Sequence, residues 1–320
     1  MKRRVLMLVN WEWCVYESNS PMIKIGSKYS NLIQLVVGGL LFSLSAILVS
    51  VVSIGGGGAA FYRMFFAALS FFIILILTGN RVSLSPRDYI YSILTGSVLA
   101  FNYIVWHKSI HIVGPGIGSI LTNTQIFFMV AVGVILFKEH ITIPKVLAVL
   151  IGFLGIVALT NNETKISDVG LDGILYGLGS GAAYSIAILF LKNITSTNKF
   201  LSMFVVCSTA SLFIYVYTSV SNESIAINNV ETLVYLLAYG ILVQVFGWYL
   251  IARSVPHLSL FTVGLVLLVE PLITFLIDIT LLGKEVVLIQ IFGAILTLFA
   301  MYIGLNKEKK NEGNNINYRE

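Results

Sequence analysis

One arginine, Arg63, interrupts an otherwise uncharged apolar run from Gly58 to Thr78, and one carboxylate, Glu270, sits about 18 Å into another that begins at Leu258. Arginine presents a planar fork of donors that matches a carboxylate or a phosphate, so Arg63 is a candidate anchor for an anionic solute. A carboxylate removed from water favours its neutral form. Glu270 is therefore the candidate for proton coupling. With Thr274 and Asp278 it forms an i, i+4, i+8 polar stripe that must face protein or water rather than lipid. Each group also has a structural reading. Arg63, about 8 Å from a span end, could snorkel to the headgroups, and a protonated Glu270 could serve the carbonyl that Pro271 leaves without its donor.

Amides and rings recur on the same kind of apolar background. Asn102 and Trp106 share a face with Thr95 and Ser109, Gln125 shares one with Gly114, Gly118 and Thr122, and Gln244, Trp248 and Tyr184 stand in later runs. Facing one cavity, they would offer hydrogen bonds and stacking to a small polar or aromatic solute. Taken singly, each is as well explained by a bond between helices. Gly173, Gly177 and Gly181 form a small-residue ladder suited to close helix packing. Nothing points to an enzyme or a cofactor: there is no His-Glu-x-x-His, no paired aspartates and no nucleophile motif, and Gly55 to Gly58 lacks the Gly-Lys-Ser/Thr of a phosphate loop. His107, His111, His140 and His257 fall near span ends, where solvation is expected rather than metal binding. Glu139 and Glu285 are expected to be solvated for the same reason. Cys14 and Cys207 are too few and too far apart for a disulfide framework.

These residues need long apolar elements to hold them. The chain of 320 residues is 57% hydrophobic and 11% charged, with mean hydropathy +0.91, which excludes an ordinary soluble domain. A bilayer core requires about 20 apolar residues per helix. Ten stretches qualify, near 30–54, 58–78, 88–108, 114–136, 143–160, 170–191, 199–220, 231–253, 258–281 and 285–305. They do not alternate as barrel strands would. The expected fold is thus an all-α integral membrane protein. The net charge of +5 does not indicate nucleic acid, because the basic residues lie between spans. With the N-terminus inside, all Lys and Arg but Arg63, Lys108, Lys165 and Lys284 fall on the cytoplasmic side, so both termini are expected there. Residues 1–29 read as a cytoplasmic tail. Lys2-Arg3-Arg4 imitates a signal peptide, but the apolar run ends at Asn10 without a cleavage site. Met22 is an alternative start. Residues 306–320 are polar and Asn-rich and are expected to be disordered.

Shifting the chain by 146 residues lays Tyr103 on Tyr249, His111 on His257, Gly118 on Gly264, Leu121 on Leu267 and Lys138-Glu139 on Lys284-Glu285. A unit of five helices, being odd, would re-enter the membrane upside down. Residues 30–160 and 170–305 are therefore expected to form two inverted five-helix repeats, an architecture common among secondary transporters.

Gly114-Pro115-Gly116, Phe137-Lys138-Glu139, Leu268-Val269-Glu270-Pro271 and Gly283-Lys284-Glu285 together resemble the EamA family of the drug/metabolite transporter superfamily, across roughly residues 30 to 305. The chain departs from that pattern at Gln125, where proline is frequent, and at Lys284. The resemblance implies ten helices, a central cavity formed by helices one to four and six to nine, and peripheral helices five and ten. The function expected is secondary active transport of a small organic metabolite, such as an amino acid or drug-like solute, across the cytoplasmic (inner) membrane by alternating access. A nucleotide-sugar or phosphate-ester exchanger is the alternative within transport, and a channel or membrane-embedded enzyme the alternative outside it. Expected partners are the solute and membrane lipid, with no nucleic acid; a homodimer is left open.

Overall fold

The computed structural model describes residues 21–52, 54–79, 83–160, 171–280, 283 and 286–317. The expectations for residues 1–20, Lys165, Lys284 and Glu285 lie outside them, as does the side chain of Asp278. Among the described residues every regular element is helical. In chain order these are α1 (Pro21–Val51), α2 (Gly56–Thr78), α3 (Pro86–Asn123), α4 (Gln125–Phe137), α5 (Ile143–Leu159), α6 (Leu171–Lys192), α7 (Lys199–Val220) and α8 (Val230–Ala238). A π-helical stretch, Tyr239–Gly247, joins α8 to α9 (Trp248–Ser254). There follow α10 (Leu260–Val266), α11 (Val269–Thr280) and α12 (Leu288–Asn317).

The helix starts are written in the sequence. Ser85, Asn198, Asn229 and Ser259 each accept a backbone N–H three residues on, that of Asp88, Leu201, Thr232 and Thr262 respectively. Pro86 occupies the first turn of α3, where its missing N–H costs nothing. Among the described residues, eight helical segments are long and apolar enough to cross a membrane, and Tyr29–Ser45 and Ile143–Leu159 are shorter apolar helices. Large apolar side chains such as Leu77, Leu154, Leu212, Phe246 and Leu288 are exposed, as lipid-facing positions are.

One continuous helical run does not mean one straight helix. Residues eight apart in a straight helix are separated by about 12 Å. A Cβ on Gly118, however, would lie only 3.0 Å from Ile110 Cγ1 and 3.6 Å from its Cα, so α3 folds back between them. The returning limb continues through Thr124 into α4. The bent α3 packs most extensively on α6 and α7, α5 on α12, α2 on α7, and α1 on the π-helical stretch and α9. The glycine ladder of α6 is where α3 docks. A Cβ at Gly173, Gly177 or Gly181 would meet Val113 at 2.4 Å, Leu121 at 2.6 Å and Thr124 at 2.8 Å.

Two expectations about the tails change. Helix α1 begins at Pro21, inside the stretch read as a tail, and α12 runs on to Asn317, so the backbone from Asn306 is helical rather than disordered. Extending a helix that packing has already nucleated adds one hydrogen bond per residue fixed, and Lys307 to Glu312 are mostly good helix formers.

Candidate functional site

Arg63 lies on α2 and is 2% exposed, so it does not snorkel. Its Nε donates to Gln244 Oε1 at 2.8 Å and its Nη1 to the Tyr239 hydroxyl at 2.9 Å. The guanidinium carbon stands 4.8 Å from the Phe42 ring centre, 4.9 Å from that of Tyr103 and 4.8 Å from that of Tyr239. A cation within about 6 Å of aromatic faces is held by their quadrupoles. The third nitrogen, Nη2, is buried and has no hydrogen-bond partner.

The π-helical stretch explains how two side chains of one element reach the same arginine. In an ordinary helix Tyr239 and Gln244, five residues apart, would point about 140° apart. With i to i+5 bonding they come onto one face. Gly240 makes the approach possible, since a Cβ there would lie 2.8 Å from Phe66 Cβ and 3.2 Å from the Arg63 carbonyl. Gly38 and Gly247 do the same for α1, bringing Phe42 to 6.2 Å from Trp248, edge to face. Gln244 turns its other end to Cys207, with Nε2 3.9 Å from Sγ.

Around this arginine are further polar atoms without partners. Tyr103 and Tyr184 are each 5% exposed and Trp248 is 0% exposed, and the hydroxyls of the two tyrosines and Trp248 Nε1 are buried and unbonded. Tyr184 packs on Trp248 with ring centres 5.9 Å apart. Glu270, in the first turn of α11, is in electrostatic range of Arg63, Tyr103 and Tyr184. It is not one of the groups hydrogen-bonded to Arg63. The site thus holds a guanidinium and a carboxyl group in range but unjoined, among four orphaned donors and a wall of rings. Buried polar groups are normally satisfied, and a set of orphans converging on one place is what a ligand site leaves.

The other expected site residues are placed differently. Asn102 donates both to the Ser180 carbonyl and to the Ser180 hydroxyl at 2.9 Å, fixing α3 to α6. Thr95 and Thr122 bond carbonyls of their own helix, and Ser109 bonds the Gly173 carbonyl. The shared face of these residues is therefore largely an interface. Trp106 packs edge-on to His107, with ring centres 4.9 Å apart. Gln125 is buried at the start of α4 with Oε1 unpartnered, and its carbonyl accepts from Ser185 at 2.9 Å. Thr274 reaches the Ser43 carbonyl at 3.5 Å.

Two span-end residues are not simply solvated. Glu139 accepts from the N–H groups of Leu260 at 2.7 Å and Phe261 at 3.3 Å, capping α10. His107 is partly buried, bonded through Nδ1 to the Tyr103 carbonyl at 2.7 Å. His111, His140 and His257 are exposed, as expected. Tyr103, Tyr239 and Phe42 were not singled out beforehand as site residues. The repeat match of Tyr103 with Tyr249 was the available signal for the first; nothing local marks the other two.

Among the described residues, a helical bundle with apolar outer faces, broken helices at Thr124 and at Leu267–Leu268, and a charged cluster shut inside are the features of a polytopic membrane protein. The model of the EamA-like transporter family matches residues 30–161 and again 171–305, and the chain belongs to that family. It is a multi-pass membrane protein. An uncharacterized transporter of Archaeoglobus fulgidus is 23% identical over 238 residues, 73% of this chain and 83% of the relative. A solved structure, described simply as the crystal structure of a protein, superposes with a TM-score of 0.77 at 13% identity, covering 89% of this chain and 99% of that one, a likeness of fold.

Proposed function

We propose that the chain is a secondary transporter of a small zwitterionic metabolite bearing an apolar or aromatic group, an amino acid in the plainest case. The observation that carries this reading is the unpartnered Nη2 of Arg63 with Glu270 in electrostatic range but not bonded to it. A solute carboxylate suits Nη2 and the neighbouring hydroxyl and indole donors, its ammonium suits Glu270, and its side chain suits the rings of Phe42, Tyr103 and Trp248. A single arginine, without a cluster of cations, is poorly matched to multiply charged phosphate esters. Glu270 also couples transport to protons. A carboxylate that holds either a proton or an ammonium makes the two ligands exclusive, which is what exchange requires.

The mechanism is alternating access between two inverted five-helix repeats, with ten spans, both termini cytoplasmic and the protein in the cytoplasmic membrane. Packing supports the repeat. Exchanging the first five helical segments for the last five maps α2 on α7, α5 on α12 and α4 on α10 onto themselves. It turns the contact of α3 with α6 into that of the eighth segment with α1, and all of these contacts are extensive. The double match of the family model points the same way.

The test is counterflow of L-phenylalanine in proteoliposomes, with 3-phenylpropionate and phenethylamine as competitors lacking one charge each. The zwitterion should exchange and neither half should compete well; Glu270→Gln should abolish the advantage of phenylalanine over phenylpropionate. Equal competition by both halves, or no exchange at all, overturns the reading.

A further inference from the structure

A cavity of about 290 Å³ lies one helical turn beyond the arginine cluster, on the side of the Gly55 turn. Ala60, one turn before Arg63, and His107, one turn after Tyr103, stand between the two. We infer that this cavity is a second binding site, an antechamber that takes the same zwitterion before it reaches Arg63. The inference rests on the amino-acid reading proposed above.

His111 and Ser224 also line the cavity, and three further side chains supply the groups that matter for a zwitterion. The Tyr103 carbonyl can only accept, so His107 Nδ1 carries the proton at their 2.7 Å bond, and in the neutral ring Nε2 is left as a lone pair. That Nε2 is buried and without a partner. Glu223 adds a carboxylate, tied by one oxygen to the Gly57 N–H at 3.2 Å. Lys108 adds a cation, with Nζ 5.5 Å and 5.4 Å from the ring centres of Tyr176 and Tyr217. Two acceptors and a cation around one hollow complement an ammonium and a carboxylate on one small molecule. Neither a lone anion nor a metal ion fits as well: among the described residues there is no group of three metal-ligating side chains.

The glycine turn is shaped around these groups. A Cβ at Gly56 would lie 2.0 Å from the His107 ring, and one at Gly57 would lie 2.1 Å from Glu223 Oε2. Any side chain at these two positions would displace the acceptors from the cavity wall.

Equilibrium binding of labelled L-phenylalanine to the purified full-length protein tests this. At a concentration that saturates both wild-type sites but lies below the weakened constant of the Arg63→Lys site, the wild type should bind one equivalent more than Arg63→Lys, and also one more than either His107→Phe or Lys108→Gln, two variants that remove the same outer site by different chemistry. Gel filtration identifies any variant that fails to fold, and the other then stands in for it. Wild-type stoichiometry retained in both outer variants overturns the antechamber, as does a single equivalent that only the Arg63 variant loses; in either case the central reading survives. Absence of any binding in the wild type removes both.

Discussion

Replacing Arg63 by lysine keeps the positive charge and loses the fork. The native guanidinium does three things at once: Nε holds Gln244, Nη1 holds Tyr239, and Nη2 is offered to the solute. An ammonium can still sit among the Phe42, Tyr103 and Tyr239 rings, so the cation–π contacts are largely kept. It cannot bond both native partners from one point and still present a donor where Nη2 was. A hydrogen bond between charged groups contributes about 1.5–3 kcal/mol. The dissociation constant for L-phenylalanine should therefore rise roughly 10- to 100-fold. A native acceptor left unsatisfied costs about 1–3 kcal/mol of stability, which lowers the unfolding temperature without preventing folding. Equilibrium binding, counterflow and thermal unfolding on the same preparation separate the two effects. A lysine variant that folds and binds phenylalanine at the Arg63 site with the wild-type constant would refute the assignment of Nη2 to the solute.

Two further substitutions probe the scaffold. Gly240→Val drives a branched side chain into Phe66 and the α2 backbone, an overpacking worth about 1–3 kcal/mol. It should abolish counterflow by pushing the π-helical stretch off Arg63 while membrane insertion persists; wild-type flux would contradict the positioning role of that stretch. Glu139→Ala removes the acceptors of the Leu260 and Phe261 amides, leaving the Ser259 cap of α10 in place, and should destabilise the protein by about 1 kcal/mol, with faster hydrogen exchange at those two amides. Unchanged exchange there would show the Glu139 contacts to be dispensable.

The residues legible in the sequence were those that a membrane makes expensive. Arg63, Tyr184, Gln244, Trp248 and Glu270 stood out because polar groups in apolar runs demand a reason, and the structure gathers all five. Asn102 and Trp106 stood out for the same reason but serve the α3 interface and the His107 ring. Composition cannot tell a bond between helices from a bond to a solute. Tyr239 was hidden by the helical period itself, since at 3.6 residues per turn it faces away from Gln244 and only the π register aligns them. Glu139 was hidden by distance along the chain: the amides it caps are 121 and 122 residues away.

The two ends of the bundle differ in a way that bears on mechanism. At the Glu139 end, a carboxylate of the first half of the chain holds the start of α10 in the second half, and Lys192 donates to the Leu258 carbonyl within the second half. At the Gly55 end, Glu223 holds Gly57 and leaves a cavity behind it. A site reached alternately from opposite sides, as proposed above, would trade one set of such bonds for the other. The Glu139 contacts join the first half of the chain to the second and add to the Ser259 cap of α10, and the Glu223 contact with Gly57 joins the same two halves at the other end. Under the alternating access proposed above, the place of the Glu139 contacts between the two halves makes them bonds expected to break in the opposite state.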